Sequence, residues 1–187
     1  MNRGSLFIIC GPSGSGKSTL IKKFLAENPQ YIFPTSVTTR TAREGEVNGD
    51  HYFFIHEKEF IEKKENEEFL EWANVYGKYY GTLKSTILNG LDEGKKFIKD
   101  IDLQGARALF KLLNRKDFKS IFVSPPSMEI LKKRLQDRES ETEETLNKRL
   151  KTAEEEMLAK GEFDTIITND NFDQAYKEFC HHILKIE

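Results

Sequence analysis

The stretch FIICGPSGSGKSTLIKKF, residues 7–24, decides the fold. Its leading apolar run, Leu6 to Cys10, reads as a short buried strand. Residues 17–27 read as a helix with Leu20, Ile21, Phe24 and Leu25 on one face, ended by ENP at 27–29. Between them lie Gly11, Pro12, Ser13, Gly14, Ser15, Gly16, Lys17, Ser18 and Thr19. Two glycines five apart, then Lys and Ser, let successive backbone N–H groups turn inward above a helix N-terminus.

That is the P-loop pattern, and with a strand before it and a helix after it the loop is expected to hold a nucleoside triphosphate. Lys17 adds a fixed positive charge near the terminal phosphates, and the Ser18 hydroxyl can ligate Mg²⁺. The competing reading is a plain glycine-rich turn. The motif by itself does not choose among GTPases, ATPases and kinases.

Outward from this loop, strand-like and helix-like segments alternate. Tyr31 to Val37 is expected as a strand, HYFFI (51–55) as another, and EKEFIEKKENE (57–67) as a helix. FLEWANVYGKYYGT (69–82) is hairpin-like, and LKSTILNGLDEG (83–94) is a helix closed by Gly94. KKFIKDID (95–102) is a strand ending in two acids, LQGARALFKLLN (103–114) a helix, and KSIFVSPP (119–126) a strand stopped by prolines. SMEILKKRLQDR (127–138) and SETEETLNKRLKTAEEEMLAK (140–160) are helices. In the second, Ser140 and Glu143 are placed for a capping box, with Leu146, Leu150, Ala153 and Met157 as the apolar face. FDTIITN (163–169) and FDQAYKEFCHHILK (172–185) give a last strand and helix. This rhythm predicts an α/β fold: a parallel sheet covered on both faces, with the aromatic-rich stretch near 37–90 as a lobe.

The chain has 187 residues, with 29 Lys and Arg against 31 Asp and Glu, a net charge of -2. One domain with a real core is expected, and not a dedicated binder of nucleic-acid polymer. Only Cys10 and Cys180 occur, which suits a reducing compartment. The N-terminal apolar run is too short for a signal-peptide core or a membrane span. A cytoplasmic protein with no membrane or nucleic-acid partner, monomeric or weakly homo-oligomeric, is expected. The four histidines show no metal-ligand spacing.

The chain resembles the guanylate kinases, nucleoside monophosphate kinases that phosphorylate GMP. The resemblance covers nearly the whole chain. It lies in GPSGSGKST, SVTTRTAREGEVNGDHYFF, FLEWANVYGKYYGT, DIDLQG, SPPS, LKKRLQDR, TEETLNKRL and TND, in that order. It implies a P-loop parallel-sheet core at 1–36, 83–125 and 163–187 within a single domain of 1–187. A small mixed GMP-binding lobe at about 37–82 and a helical lid at about 126–162 complete it. It also implies ATP as donor, Mg²⁺, and GMP, with dGMP beside it, as acceptor.

Residue by residue, the resemblance places Arg40 and Arg43 on the GMP phosphate. Their chemistry agrees, since guanidinium forks bind such oxygens bidentately; two solvated surface arginines are the alternative. Tyr52 and Tyr80 match tyrosines whose hydroxyls bond the same phosphate. Glu71 and Asp100 match acids at the base. Guanine offers N1–H and an exocyclic amine to a carboxylate, whereas adenine would leave it unpaired. Ser36 and Thr82 match hydroxyls that complete the guanine contacts.

Asp100 and Asp102 also admit a metal reading, directly or through water, or Asp102 orients neighbouring arginines. Lys99 stands where the family's strand is usually apolar, so an exposed strand or a snorkelling lysine is expected.

Arg134 and Arg138, four apart on one helical face, and Arg149 on the next match lid arginines that close over the triphosphate. A charged, solvated helix pair is the alternative. Glu139 stands where relatives commonly carry glycine. Asn169 matches an adenine contact. Lobe and lid are expected to close when both nucleotides bind. Two rivals remain. One is a kinase for another monophosphate such as AMP or dGMP; Glu71 and Asp100 oppose AMP and leave dGMP open. The other is a non-catalytic interaction module, which the intact loop opposes.

Overall fold

The computed structural model describes residues 3–75, 77–137 and 143–185. Among these residues there are two sheets. The parallel one contains β1 (Ser5–Cys10), β2 (Tyr31–Ile32), β7 (Lys96–Asp100), β8 (Phe118–Ser124) and β9 (Thr165–Thr168), in the order β2-β7-β1-β8-β9. The chain divides into two compact units: Met1–Leu6, Gln30–Lys99 and Gln104–Phe118 form one, and Phe7–Pro29, Asp100–Leu103 and Lys119–Glu187 the other.

In the second unit, β1 is buried from Phe7 to Cys10 without alternation, as a strand covered on both faces must be. α1 (Lys17–Glu27) buries Leu20, Ile21 and Phe24, one stripe of an amphipathic helix. Asn28 ends it by donating Nδ2 to the Phe24 carbonyl at 2.9 Å. α7 (Phe172–Leu184) starts at Asn171, whose Oδ1 accepts from the Gln174 amide at 3.0 Å. Phe179 of α7 meets Phe24 edge to face at 5.7 Å. α5 (Met128–Gln136) is capped by the Ser127 hydroxyl and packs Leu131 and Leu135 against Leu146 and Ala153 of α6 (Glu143–Leu158). Leu150 joins that cluster half-buried.

The other unit holds a four-stranded mixed sheet, order β4-β3-β6-β5. β3 (Ser36–Thr38) lies parallel to β4 (Tyr52–Phe54) and antiparallel to β6 (Lys78–Leu83). β5 (Phe69–Val75) and β6 form the expected hairpin, in register from Glu71↔Thr82 to Val75↔Lys78. α2 (Glu57–Glu65) packs Phe60 onto Phe69 at 4.3 Å and Tyr79 at 5.1 Å. α3 (Lys84–Asp92), α4 (Leu103–Leu112) and a 3₁₀ turn at Ala159–Glu162 complete the element order.

Two expectations are revised. Tyr31 to Val37 is not one strand. β2 ends at Ile32 and β3 begins at Ser36, in a different sheet, with Pro34 in the break. Proline lacks the N–H a ladder needs, so the chain changes sheets there. Lys99 is neither exposed nor snorkelling. It is 5% exposed and continues the buried run of Phe97 and Ile98. The Ser140 cap falls outside the described residues.

Candidate active site

The backbone builds the first half of the site. Gly11 leaves β1 at φ 133°, and a Cβ there would lie 2.2 Å from the Val123 carbonyl oxygen. Gly16 precedes α1 at φ 95°, and a Cβ there would lie 2.1 Å from Asn169 Nδ2. No other residue type fits these positions without moving the chain. The Ser15 amide donates to the Pro12 carbonyl at 3.0 Å, closing the loop on itself.

α1 has no side-chain cap and no acid in its first turn. Its leading amides and positive dipole end therefore have no anionic side chain of that turn to satisfy them. They line a cleft of about 290 Å³ with Gly11, Ser13, Gly14 and the Gly16–Thr19 segment. Asp100, Ile101, Asp102 and Glu156 form its other wall. Lys17 Nζ donates to the carbonyls of Gly11 at 2.5 Å and Pro12 at 3.1 Å, so its ammonium is held over its own loop.

Asn169, 6% exposed, braces this cradle. Its Nδ2 donates to the Ser15 carbonyl at 2.7 Å, and its own carbonyl accepts from Arg134 Nη2 at 2.9 Å. Arg134 is thus half-buried and clamped, not solvated. Arg149 is half-buried on α6. Arg138 and Glu139 lie outside the described residues. The Ser15 hydroxyl is buried with no partner among the described residues.

Glu156 escaped the sequence reading, because EEE at 154–156 looks like a solvated helical face. The signal was its place three residues after Ala153, at the border of the apolar stripe. Burial pushes its carboxyl above the usual range, Asp102 and Asp100 add to the rise, and Lys17 opposes it. Burial likewise pushes the Cys10 thiol up to about 12.

The remaining residues gather on the four-stranded sheet and the loop after β3. Arg40 donates Nη1 and Nη2 to the two carboxylate oxygens of Glu46, both at 2.8 Å. The Arg43 amide donates to Glu46 Oε2 at 2.7 Å. The Arg40 hydrogen bonds, then the Arg43 amide, hold the Glu46 carboxyl down to about 2. The Arg40 guanidinium lies 5.4 Å from the Tyr52 ring, and Tyr52 meets Tyr80 edge to face at 6.0 Å. Glu46 was not singled out from sequence. Its fork-to-fork fit shows what geometry Arg40 offers a two-oxygen anion.

On the neighbouring strands, Glu71 Oε1 accepts from Thr82 Oγ1 at 2.6 Å. Lys99 Nζ lies 4.0 Å from the same oxygen and donates to Ser36 Oγ at 2.6 Å. Three of the four residues expected at the base, Ser36, Glu71 and Thr82, therefore form one network. The fourth, Asp100, lines the cleft beside Lys17.

A glycine loop between a parallel strand and a helix, opening on a cleft with a fixed lysine and facing carboxylates, defines an α/β protein of the P-loop nucleotide-binding class. The sequence is more particular than the class. Residues 3–185 match the family model described as guanylate kinase, and the chain belongs to that family. A guanylate kinase of Prochlorococcus marinus is 47% identical over 180 residues, covering 95% of each chain. That of Thermotoga maritima is 43% identical over 173 residues, 92% of this chain and 83% of its own. The crystal structure of guanylate kinase from Anaplasma phagocytophilum superposes with a TM-score of 0.72 at 29% identity, covering 100% of this chain and 87% of that one.

Proposed function

We propose that the protein catalyses ATP + GMP → ADP + GDP with Mg²⁺, in purine nucleotide metabolism and GMP recycling. The observation that carries the reading is the cradle. Its glycine-bearing loop, an α1 N-terminus without side-chain cap or first-turn acid, and Lys17 line one cleft, a donor-rich place for phosphate oxygens. The residues present fit Mg²⁺ as well. The exposed Ser18 hydroxyl would ligate it, with Asp100 and Asp102 on the opposing wall for its water shell. Bound there, the ion would neutralise charge on the β- and γ-phosphates.

The reaction is direct in-line transfer. A GMP phosphate oxygen bonds to the γ-phosphorus of ATP as the bond to the ADP oxygen breaks. No protein nucleophile or dedicated base is needed, because the attacking phosphate is largely ionised near neutral pH. Lys17 leaves the Gly11 and Pro12 carbonyls for the transferring group and offsets its charge. We assign Arg134, Arg138 and Arg149 the same task from the lid at about 126–162. Gly11, Pro12, Ser13, Gly14, Ser15, Gly16 and Thr19 wrap the donor phosphates. With its Nδ2 spent on Ser15, Asn169 would meet adenine through Oδ1.

On the acceptor side, in the lobe at about 37–82, Arg40 and Arg43 grip the GMP phosphate with Tyr52 and Tyr80. Glu46 then gives up the Arg40 fork to the incoming dianion. Glu71, Thr82 and Ser36 read guanine, with Asp100 as a further acceptor. dGMP is accepted alongside GMP. We assign the protein to the cytoplasm, as a monomer or weak homo-oligomer. Both cysteines being free thiols supports that compartment.

The deciding experiment is a coupled ADP-release assay across GMP, AMP, CMP and UMP. Turnover with GMP alone is expected. A preference for AMP would overturn the assignment of Glu71, and no ADP release with any of the four would overturn the reaction.

A further inference from the structure

A lysine at the core of a strand needs a reason. Lys99 is 5% exposed between Ile98 and the end of β7. Burying an ammonium is costly unless it is paired, and a leucine or methionine would fill the same space without that cost. Here the charge is paired at both ends of the base-reading network. Nζ donates to Ser36 Oγ at 2.6 Å, lies 4.0 Å from Glu71 Oε1, and sits 5.3 Å from the centre of the Phe33 ring.

An ammonium only donates. Ser36 Oγ must therefore spend a lone pair on Lys99, and its own hydrogen is sent toward another acceptor. Glu71 faces a positive counter-charge and accepts from Thr82. Together these fix the polarity of the surface: a hydroxyl donor beside carboxylate acceptors. A purine with a 6-oxo group and N1–H matches both. A 6-amino purine, with an acceptor at N1, mismatches both.

We propose that Lys99 is a positioning residue for base selection, one that fixes Ser36 as a donor and supplies the Glu71 counter-charge so that the protein discriminates 6-oxopurine from 6-aminopurine monophosphates. The inference rests on Ser36 and Glu71 facing the base.

Titration calorimetry of GMP, IMP and AMP against the whole protein and Lys99→Met tests it. Methionine keeps an unbranched side chain one atom shorter and removes the donor. GMP and IMP share the 6-oxo group and N1–H, so each should bind about 10-fold more weakly to the variant while AMP is unchanged. The affinity of a non-hydrolysable ATP analogue should stay within about twofold, which reports an intact fold. An unchanged GMP-to-AMP ratio, or equal weakening of all three nucleotides, overturns the proposal.

Should Lys99→Met not fold, Ser36→Ala takes its place. It should weaken GMP and IMP alike, by about 10-fold, and spare AMP. An unaltered ratio in that variant overturns the proposal equally. A wild-type protein that does not prefer GMP to AMP sinks the base assignment itself, and this inference with it. A wild-type preference that survives Lys99→Met sinks this inference alone.

Discussion

Lys17 and Glu71 carry charge into opposite roles, and their substitutions separate those roles. Lys17→Met removes the ammonium now resting on Gly11 and Pro12, leaving the acceptor residues untouched. We expect kcat to fall by about 10²–10³-fold with GMP affinity unchanged, since one positioned cation at the reacting group contributes on that scale. Steady-state kinetics paired with calorimetry checks both halves; near-normal kcat would end the account of the loop. Glu71→Ala should act through kcat/KM, lowering it for GMP by about 100-fold and narrowing the gap to AMP.

At the same scale, Glu46 gives a pH signature. Its folded-state value is depressed from 4.5 to about 2, so the stability it adds is present above pH 4.5 and lost as pH falls toward 2. The difference in melting temperature between wild type and Glu46→Gln should be full at pH 6 and shrink steadily below pH 4.5. A constant difference would show that the pairing with Arg40 adds nothing. Local chemistry of this kind is only partly legible in a sequence. The cradle is written in nine consecutive residues, Gly11 to Thr19. The Lys99–Ser36 bond joins residues 63 apart, and nothing local announces that a lysine in a strand will be buried against a serine in another sheet.

Among elements, the helix starts are the most legible features and the strands the least. Ser127 and Asn171 each precede a helix and accept the amide three residues on. Ser127→Ala should cost about 1 kcal/mol, read as a loss of about 2–4 °C in melting temperature. Gly16→Ala should do more, because its Cβ would collide with Asn169 Nδ2 and its φ is left-handed. A destabilisation of about 1–3 kcal/mol together with lost ATP-analogue binding is expected. Retained binding at normal affinity would mean that the Asn169 brace is dispensable. The strand over 31–37 failed as one element because periodicity does not reveal which sheet a residue joins. Pro34 was the available sign. The parallel pairing of β3 with β4 is likewise a tertiary fact: Ser36↔Tyr52 and Thr38↔Phe54 are matched across a polar loop that carries no pairing code.

For the whole molecule, nucleotide binding and folding are linked by mass action. A non-hydrolysable ATP analogue at 100 times its Kd should stabilise the protein by about 2.7 kcal/mol, and thermal unfolding at graded ligand concentrations reads this directly. Absence of any shift, with the analogue in excess, would mean the cleft does not bind it in the native state. The α/β alternation was legible because the helices are amphipathic and β1 and β8 each carry an apolar run, Leu6–Cys10 and Ile121–Val123. Which residues would share a wall was not: Asp100 ends a strand, Glu156 lies in the last turn of a helix, and only the folded chain sets both beside Lys17.

The bidentate pairing of Arg40 with Glu46 has an electrostatic consequence at long range. At 2.8 Å the two charges cancel for any ion farther off than the Debye length, about 8 Å at physiological ionic strength. An approaching nucleotide therefore feels Arg43 and little of Arg40 until it is close enough to exchange places with the carboxylate. The association rate of GMP should thus fall with added salt as though one guanidinium steered it, and Glu46→Gln should steepen that dependence toward two.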